Sequence, residues 1–151
     1  MQFDELKTRA ERTPYHEALG VRAESIAADR VRLRIPFKDE NSNPGRALHG
    51  GVSASAINIG GALAAWTAVE ERPGLEAATL DLTVNYLAAA IGEDIIATAE
   101  VLRRGKEIVY SEVDVRTRLL IESGGATKAQ TVGLRIPRLT PAPLISYSEH
   151  R

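Results

Sequence analysis

One uncharged stretch, from Ala47 to Val69, restricts the possible folds of this chain more than any other feature of its sequence. The stretch is rich in glycine, alanine and serine and contains His49 and Asn58, so it is a poor candidate for a membrane span. A helix without a charged face has to be covered on nearly all sides. The stretch therefore predicts a buried helix, around which a small domain curls its other elements.

Length and composition are those of one ordinary globular domain. The chain has 151 residues, of which 44% are hydrophobic and 26% charged, and a domain of this size needs no disulfide or structural metal to fold. It contains no cysteine, which excludes thiolate catalysis and iron–sulfur ligation. We expect one domain over residues 1–137 and a loosely attached tail over 138–151.

The charge balance and the first residues restrict the partners and the location. Lys and Arg number 19 and Asp and Glu number 20, which gives a formal net charge of -1. This balance argues against a nucleic-acid partner, because nucleic acids favour a basic face. The N-terminus lacks the apolar region of a secretory signal. We therefore expect a cytoplasmic protein with neither a nucleic-acid nor a membrane partner.

Alternating hydrophobicity predicts strands on both sides of the buried helix. Val31, Leu33, Ile35 and Phe37 recur with period two, as in a half-buried strand, and residues 21–27 provide its hairpin partner. Further strand-like runs lie at 78–87, 94–103, 107–119 and 126–136, and residues 2–12 form a short amphipathic helix. The prediction is an α+β fold, in which an antiparallel sheet of five to six strands curves around the long central helix. Its open edges favour dimerisation.

Two glycines, Gly50 and Gly51, begin the predicted helix directly after His49. Glycine leaves the backbone N–H groups uncovered, and such donors at the positive end of a helix dipole suit a carbonyl oxygen or a developing oxyanion. The alternative is that both glycines only permit a tight turn and close packing.

Asn58 is a strongly polar side chain in the middle of this apolar stretch, on the same helix face as Gly51. A buried amide that lacks a hydrogen bond costs about 1–3 kcal/mol. Asn58 is therefore either a satisfied core amide that fixes the helix or a contact for substrate or water. It is not a general base, because an amide has no useful proton affinity near neutral pH.

Several motifs together resemble the PaaI-type branch of the hotdog-fold acyl-CoA thioesterases, which includes the 4-hydroxybenzoyl-CoA thioesterase-like proteins. They are the run Asn43-Pro-Gly-Arg-Ala-Leu-His-Gly-Gly51 before the helix, the run Leu80-Asp-Leu-Thr-Val-Asn-Tyr-Leu87, and Arg103-Arg-Gly-Lys106. The resemblance extends over residues 14–136. It implies a hotdog fold, a homodimer with its active sites between the subunits, and stacking of dimers into tetramers. It also implies an acyl-CoA substrate, whose coenzyme A is part of the substrate rather than a separate cofactor.

The resemblance implies roles for five residues of this chain. Asn43 matches a loop asparagine that helps to hold the thioester carbonyl, and Gly50 matches the residue whose backbone N–H polarises that carbonyl. His49 matches a motif histidine that is more often structural than catalytic. Thr79 matches a Ser or Thr that orients the attacking water from the neighbouring subunit. Position 58 is that of the family's catalytic carboxylate, and this chain has Asn58 there.

Three hypotheses follow from the asparagine at position 58. The protein is a slow thioester hydrolase in which Asn58 only orients water, or it uses a carboxylate elsewhere, or it binds acyl-CoA without hydrolysing it. Asp81 and Glu76 are the candidates for a relocated base. Strand alternation places Thr79 and Asp81 on the same face.

The phosphates of coenzyme A require positive charge, for which the sequence offers Arg46, Arg103, Arg104 and Lys106. The family's usual Arg or Lys after the Asn-Tyr-Leu run is replaced by three alanines after Leu87. The candidate substrate-binding residues are completed by His49, Gly51 and Asp81. An apolar helix face suits an aromatic or medium-chain acyl group.

Other hydrolytic chemistries fit the sequence less well. Ser53 and Ser55 lie near His49 without the Gly-x-Ser-x-Gly elbow of a serine hydrolase. The histidines at 16, 49 and 150 lack a metal-binding spacing, so we expect no metal. A dehydratase would need an acid paired with His49. The remaining alternative to a thioesterase is a non-catalytic protein that binds an acyl-CoA or another acyl ligand.

Overall fold

An antiparallel sheet curves around one long helix in the computed structural model, which describes residues 3–69, 77–118, 121 and 130–135. The helices are α1 (Phe3–Arg12), α2 (Pro14–Leu19) and the central α3 (Gly50–Trp66). The strands are β1 (Arg22–Ala27), β2 (Arg30–Ile35), β3 (Ala78–Leu82), β4 (Ile95–Arg104), β5 (Ile108–Thr117) and β6 (Gln130–Arg135). Their order in the sheet is β1-β2-β4-β5-β6-β3, and every neighbouring pair is antiparallel. The hotdog architecture expected from the sequence is confirmed.

Helix α3 is covered on most of its circumference, as its lack of charge requires. Most of its residues between Val52 and Trp66 are buried, and Gly60 lies against Ala99 of β4 and Val113 of β5. One stripe of α3 remains open: Gly51 is exposed, while Ser55, Asn58 and Ala62 are half-buried. The prediction of a covered helix is therefore confirmed on every side except this one.

Strand β2 shows how alternation separates the core from solvent. Val31, Leu33 and Ile35 are buried, whereas Arg32 and Arg34 lie between them on the outer face of the sheet, away from α3. These arginines pair with carboxylates nearby, Arg32 with Glu24 at 2.8 Å and Arg34 with Asp94 at 3.3 Å. The predicted hairpin of two half-buried strands is confirmed.

Strand β3 is shorter than the sequence pattern predicts. The strand ends at Leu82, and residues 83–90 form no regular element. Leu82, the last residue of β3, pairs with Val132 of β6. Strand β6 is described over Gln130–Arg135, and residues 126–129 and 136 of the predicted strand lie outside the described part of the chain. The expected tail over 138–151 also lies outside the described residues.

The C-terminal end of α3 is held by a polar cluster that joins it to two hairpins. The guanidinium of Arg104 donates to the carbonyls of Ala65 at 2.8 Å and Ala64 at 3.2 Å, and to Asp29 Oδ1 at 2.5 Å. Thr67 is buried, and its hydroxyl accepts from the Asp29 N–H at 2.7 Å. The orphan carbonyls of the last helical turn therefore receive charged donors from the β4–β5 hairpin.

We predict that Arg104→Ala lowers the free energy of unfolding by about 2–3 kcal/mol, because it leaves helix carbonyls and Asp29 without their charged partner. Arg103→Ala is the matched control, since Arg103 is the exposed neighbour on the same strand, and it should cost less than about 0.5 kcal/mol. Urea unfolding of both variants measures the difference. Equal losses would show that the cluster does not stabilise the helix end.

Candidate active site

The loop before α3 is folded back on itself so that it delivers His49 to the start of the helix. The Asn43 N–H donates to the Ala47 carbonyl at 2.7 Å, and the His49 N–H donates to the Asn41 carbonyl at 2.8 Å. The turn between them places Arg46 at a φ of 60°, a conformation uncommon for a residue other than glycine. Asn43 is exposed and lines the cleft described below.

The side chain of His49 caps α3. His49 has an extended backbone at the N-cap position, and its Nδ1 accepts the Gly51 N–H at 2.9 Å. A Cβ on Gly51 would lie 2.9 Å from this nitrogen, so the cap requires glycine there. The Gly51 amide, which the sequence suggested as a substrate donor, is therefore already engaged by the imidazole.

The Gly50 N–H is the uncovered donor at this helix end. Within the described part of the chain, no acceptor is found for it, and Gly50 lines a cleft. The amide lies at the positive end of the α3 dipole. Of the two glycine amides predicted to grip a carbonyl oxygen, only that of Gly50 is available.

The cleft beside Gly50 has a volume of about 470 Å³, within the usual range for small-molecule sites. It lies between the start of α3, the irregular segment 84–90 and the ends of β4 and β5. Its apolar lining includes Leu48, Ile57, Val84, Leu87, Ile95 and Val115. Its polar lining includes Asn43, Arg116 and Thr117 beside Gly50. The cleft can therefore hold an apolar group close to the Gly50 N–H and to other hydrogen-bond donors.

Segment 84–90 forms one wall of this cleft. The sequence pattern predicted a strand up to Leu87, so it did not indicate this wall. The Leu48 N–H donates to the Ala90 carbonyl at 2.8 Å, which attaches the segment to the loop before α3. Tyr86 reaches the helix start, where its hydroxyl donates to the Gly50 carbonyl at 3.0 Å. The Asn-Tyr-Leu run within the quoted motif was the available signal.

Asn58 and Thr79 form a second polar pair, separate from the cleft. The Thr79 hydroxyl donates to Asn58 Oδ1 at 2.6 Å, so the amide oxygen is satisfied within the chain. Asn58 lies about 12 Å along the axis from Gly50, by the rise of an α-helix, on the open stripe of α3. The described chain therefore keeps two polar groups apart: Gly50 with Asn43 at the cleft, and Asn58 with Thr79 on the open stripe.

Asp81 does not share a face with Thr79, contrary to the expectation from alternation. Thr79 pairs with Leu134 and Asp81 with Gly133, so Leu80 is an extra residue in a β-bulge. Successive partners on β6 face opposite sides of the sheet. Since Thr79 contacts α3, Asp81 lies on the outer face, away from Asn58. Glu76, the other candidate base, lies outside the described residues.

The basic residues expected at the phosphates are mostly remote from the cleft. Arg104 is bound to the C-terminal end of α3, about 21 Å along the helix from Gly50, and it has a structural role instead. Arg103 and Lys106 are exposed on the same hairpin. Arg46 is closer to the cleft, and its guanidinium stacks on the Phe37 ring at 5.1 Å.

Among the residues that the structure describes, no group of three or more carboxylate or imidazole side chains is arranged to hold a metal ion. None of the helices in the described ranges is long and apolar enough to cross a membrane.

Comparisons with known proteins identify the family and the fold. Residues 45–118 match the family described as the Thioesterase superfamily. The chain is 31% identical over 108 residues to human acyl-coenzyme A thioesterase 13, covering 69% of this chain and 75% of that protein. It is 30% identical over 135 residues to the Escherichia coli medium/long-chain acyl-CoA thioesterase YigI, covering 80% and 86%. The solved E. coli PaaI protein from the phenylacetic acid degradation operon has the same fold, with a TM-score of 0.72 and 20% identity over 89% of this chain and 91% of that chain.

The helix cap gives a test of the role of His49. We predict that His49→Ala lowers the free energy of unfolding by about 1 kcal/mol, whereas His49→Asn, which retains a side-chain acceptor, loses little. Thermal or urea unfolding measures both. A His49→Ala variant of unchanged stability but lost activity would instead indicate a direct role for the imidazole.

Proposed function

Because the chain belongs to the thioesterase superfamily, we propose that it is an acyl-CoA thioesterase that hydrolyses the thioester of an aromatic or medium-chain acyl-CoA. The observation that carries the proposal is the bare Gly50 N–H at the start of α3, which opens into an apolar cleft of about 470 Å³. Relatives named as acyl-CoA thioesterases support the same reaction. Coenzyme A enters as part of the substrate.

The carbonyl of the thioester would bind at the start of α3. The Gly50 N–H would donate to the carbonyl oxygen, and the amide of Asn43, on the same cleft, would supply a second donor. Charge develops on this oxygen when water attacks, and a donor already fixed at that position stabilises it strongly. Removal of one such donor typically costs 10²–10³ in rate.

Asn58 would orient the attacking water without accepting its proton. Thr79 occupies Oδ1 of Asn58, so the Nδ2 group remains for a water or for the substrate. The water oxygen forms a bond to the acyl carbon and the carbon–sulfur bond breaks. The proton that the water loses passes through solvent to the departing thiolate, which leaves as the free thiol of coenzyme A. Without a carboxylate to take the proton, the reaction should be slow, since loss of a positioned base costs about 10²–10⁴-fold.

A second copy of the chain would complete the site. Gly50 and Asn58 lie about 12 Å apart along the axis of α3, so one chain would not bring both to the same acyl carbon. Strand β3 is an open edge of the sheet, and its Leu80 is 51% exposed, which favours pairing with another copy. We infer that Gly50 and Asn43 of one protomer meet Asn58 and Thr79 of the other in a homodimer, which pairs further into a tetramer.

The second candidate function is non-catalytic binding of an acyl-CoA or another acyl ligand. The observation that favours it is Asn58 itself, whose amide has no proton affinity to offer. Both candidates use the same cleft and the same Gly50 amide, so release of the free thiol distinguishes them.

We predict that Asn58→Asp raises kcat about tenfold or more, because Thr79 can still donate to one carboxylate oxygen while the other becomes a general base. Thiol release from benzoyl-, phenylacetyl- and medium-chain acyl-CoA measures the change. Asp81→Asn is the control, since Asp81 lies on the outer face of the sheet, and its rate should equal that of the wild type.

Two other outcomes would contradict this scheme. An unchanged rate in Asn58→Asp, together with loss of activity in Asp81→Asn or Glu76→Gln, would show that the base lies elsewhere. Tight binding of acyl-CoA without thiol release by the wild type or by Asn58→Asp would favour the non-catalytic function.

Leu80 and Leu102 provide a test and a control for dimerisation, because both are exposed leucines at β-bulges. We predict that Leu80→Lys at the open edge shifts the protein from dimer to monomer and lowers its activity, since a charge at an edge strand opposes pairing. Leu102→Lys, on interior strand β4, should change neither property. Sedimentation analysis with parallel thiol-release assays measures both, and a dimeric Leu80→Lys variant would exclude β3 as the interface.

A further inference from the structure

Tyr86 is exposed over 61% of its surface, yet both its hydroxyl and its ring contact the start of α3. The hydroxyl donates to the Gly50 carbonyl at 3.0 Å, and the ring Cε1 lies 3.2 Å from the position that a Gly50 Cβ would occupy. Because residues 83–90 leave the sheet after Leu82, Tyr86 is free to reach this point. The contact is specific to the one glycine whose N–H opens into the cleft.

The peptide unit between Gly50 and Gly51 is held from both sides. Its N–H donates to His49 Nδ1 at 2.9 Å, and its carbonyl oxygen accepts from the Tyr86 hydroxyl. A peptide unit is planar, so two hydrogen bonds at its opposite ends fix the orientation of the whole plane. This plane begins at the Gly50 Cα, which also carries the donor proposed for the thioester carbonyl.

Gly50 needs such restraint because glycine has the widest backbone freedom of any residue. The direction of its N–H relative to this plane depends on the two dihedral angles at its Cα, and a substituent there would crowd the Tyr86 ring. Glycine thus provides an uncovered donor but loses the rigidity that a side chain would give. The peptide before Gly50 is held through the His49 carbonyl, which accepts the Val52 N–H at 2.9 Å, and among the described residues His49 and Tyr86 are the side chains that hold the peptide after it.

We infer that Tyr86 is a positioning residue, which aims the Gly50 N–H at the substrate by holding the Gly50–Gly51 peptide against His49. This inference rests on the proposed thioesterase function for its kinetic consequence, but not for its structural one. Tyr86 touches the donor and not the acyl carbon. Its hydroxyl sets the orientation of the peptide, and its ring covers the exposed side of Gly50 at the mouth of the cleft.

The kinetic test compares Tyr86→Phe with the wild type. Phenylalanine keeps the ring and removes only the hydroxyl, so we expect kcat for thiol release to fall about fivefold to tenfold, a fraction of the loss for a whole oxyanion donor. KM should stay within about twofold, since a donor that matters mainly in the transition state affects kcat. The same comparison in the Asn58→Asp background provides a faster reaction in which to measure it. Tyr110→Phe, on the outer face of the sheet, is the control and should match the wild type.

A second readout does not depend on activity. Hydrogen exchange of the Gly51 amide, followed by NMR, should be faster in Tyr86→Phe than in the wild type, because the peptide plane is released on one side. The Gly51 exchange rate in Tyr110→Phe should be unchanged. Thermal unfolding of both variants should show similar small losses, which separates this effect from general destabilisation.

Each combination of results either supports or overturns the positioning role of Tyr86. A lower kcat with constant KM and faster exchange at Gly51 supports it. Unchanged kcat and unchanged exchange overturn it, and so does a raised KM with unchanged kcat, which would make Tyr86 a wall of the binding site only. If neither the wild type nor Asn58→Asp releases thiol, the proposed function fails, and the exchange measurement alone decides whether Tyr86 orients the peptide.

Discussion

The enclosure of an uncharged helix is the constraint on which the rest of the structure depends. Helix α3 has no charged face that water could solvate, so the sheet has to curve around it. Few arrangements of the strands achieve this. Because the rest of the helix is enclosed, the polar groups of the candidate site lie at its start and on its one open stripe. Gly50 lies at the exposed start, and Asn58 lies on the stripe that the sheet of its own chain does not cover.

The two ends of α3 differ in role: the C-terminal end is fixed in the fold, and in the proposed function the N-terminal end binds the substrate. The C-terminal end of α3 is tied by Arg104, Asp29 and Thr67, whose side chains bond to each other's groups and to the last helix carbonyls. The N-terminal end is held by His49 and Tyr86, which satisfy the peptide after Gly50 and leave the amide before it free. In the proposed function, the chemistry of the site depends chiefly on the Gly50 N–H, for which the described residues provide no acceptor.

Much of the fold was predictable because it follows from hydrophobic periodicity. The uncharged stretch, the alternation from Val31 to Ile35 and the two glycines after His49 predict the helix, the sheet and the donor site. Periodicity does not detect a bulge, however, so the extra residue Leu80 reverses the face of Asp81. It also does not distinguish Arg103 from Arg104, which are neighbours in sequence, although one is exposed and the other binds the helix end. The position of Tyr86 depends on β3 ending at Leu82, which no local pattern reports.

The distance between the two ends of α3 has a consequence for how such a protein can diversify. Substitutions in the loop around Asn43 or along residues 84–90 fall about 20 Å from the Arg104 cluster, and effects of sites so far apart usually add. The acyl preference of the cleft can thus change through many small substitutions, while the Arg104 cluster at the C-terminal end of α3 continues to stabilise the fold. A lineage built on this scaffold could acquire new substrates without first acquiring extra stability.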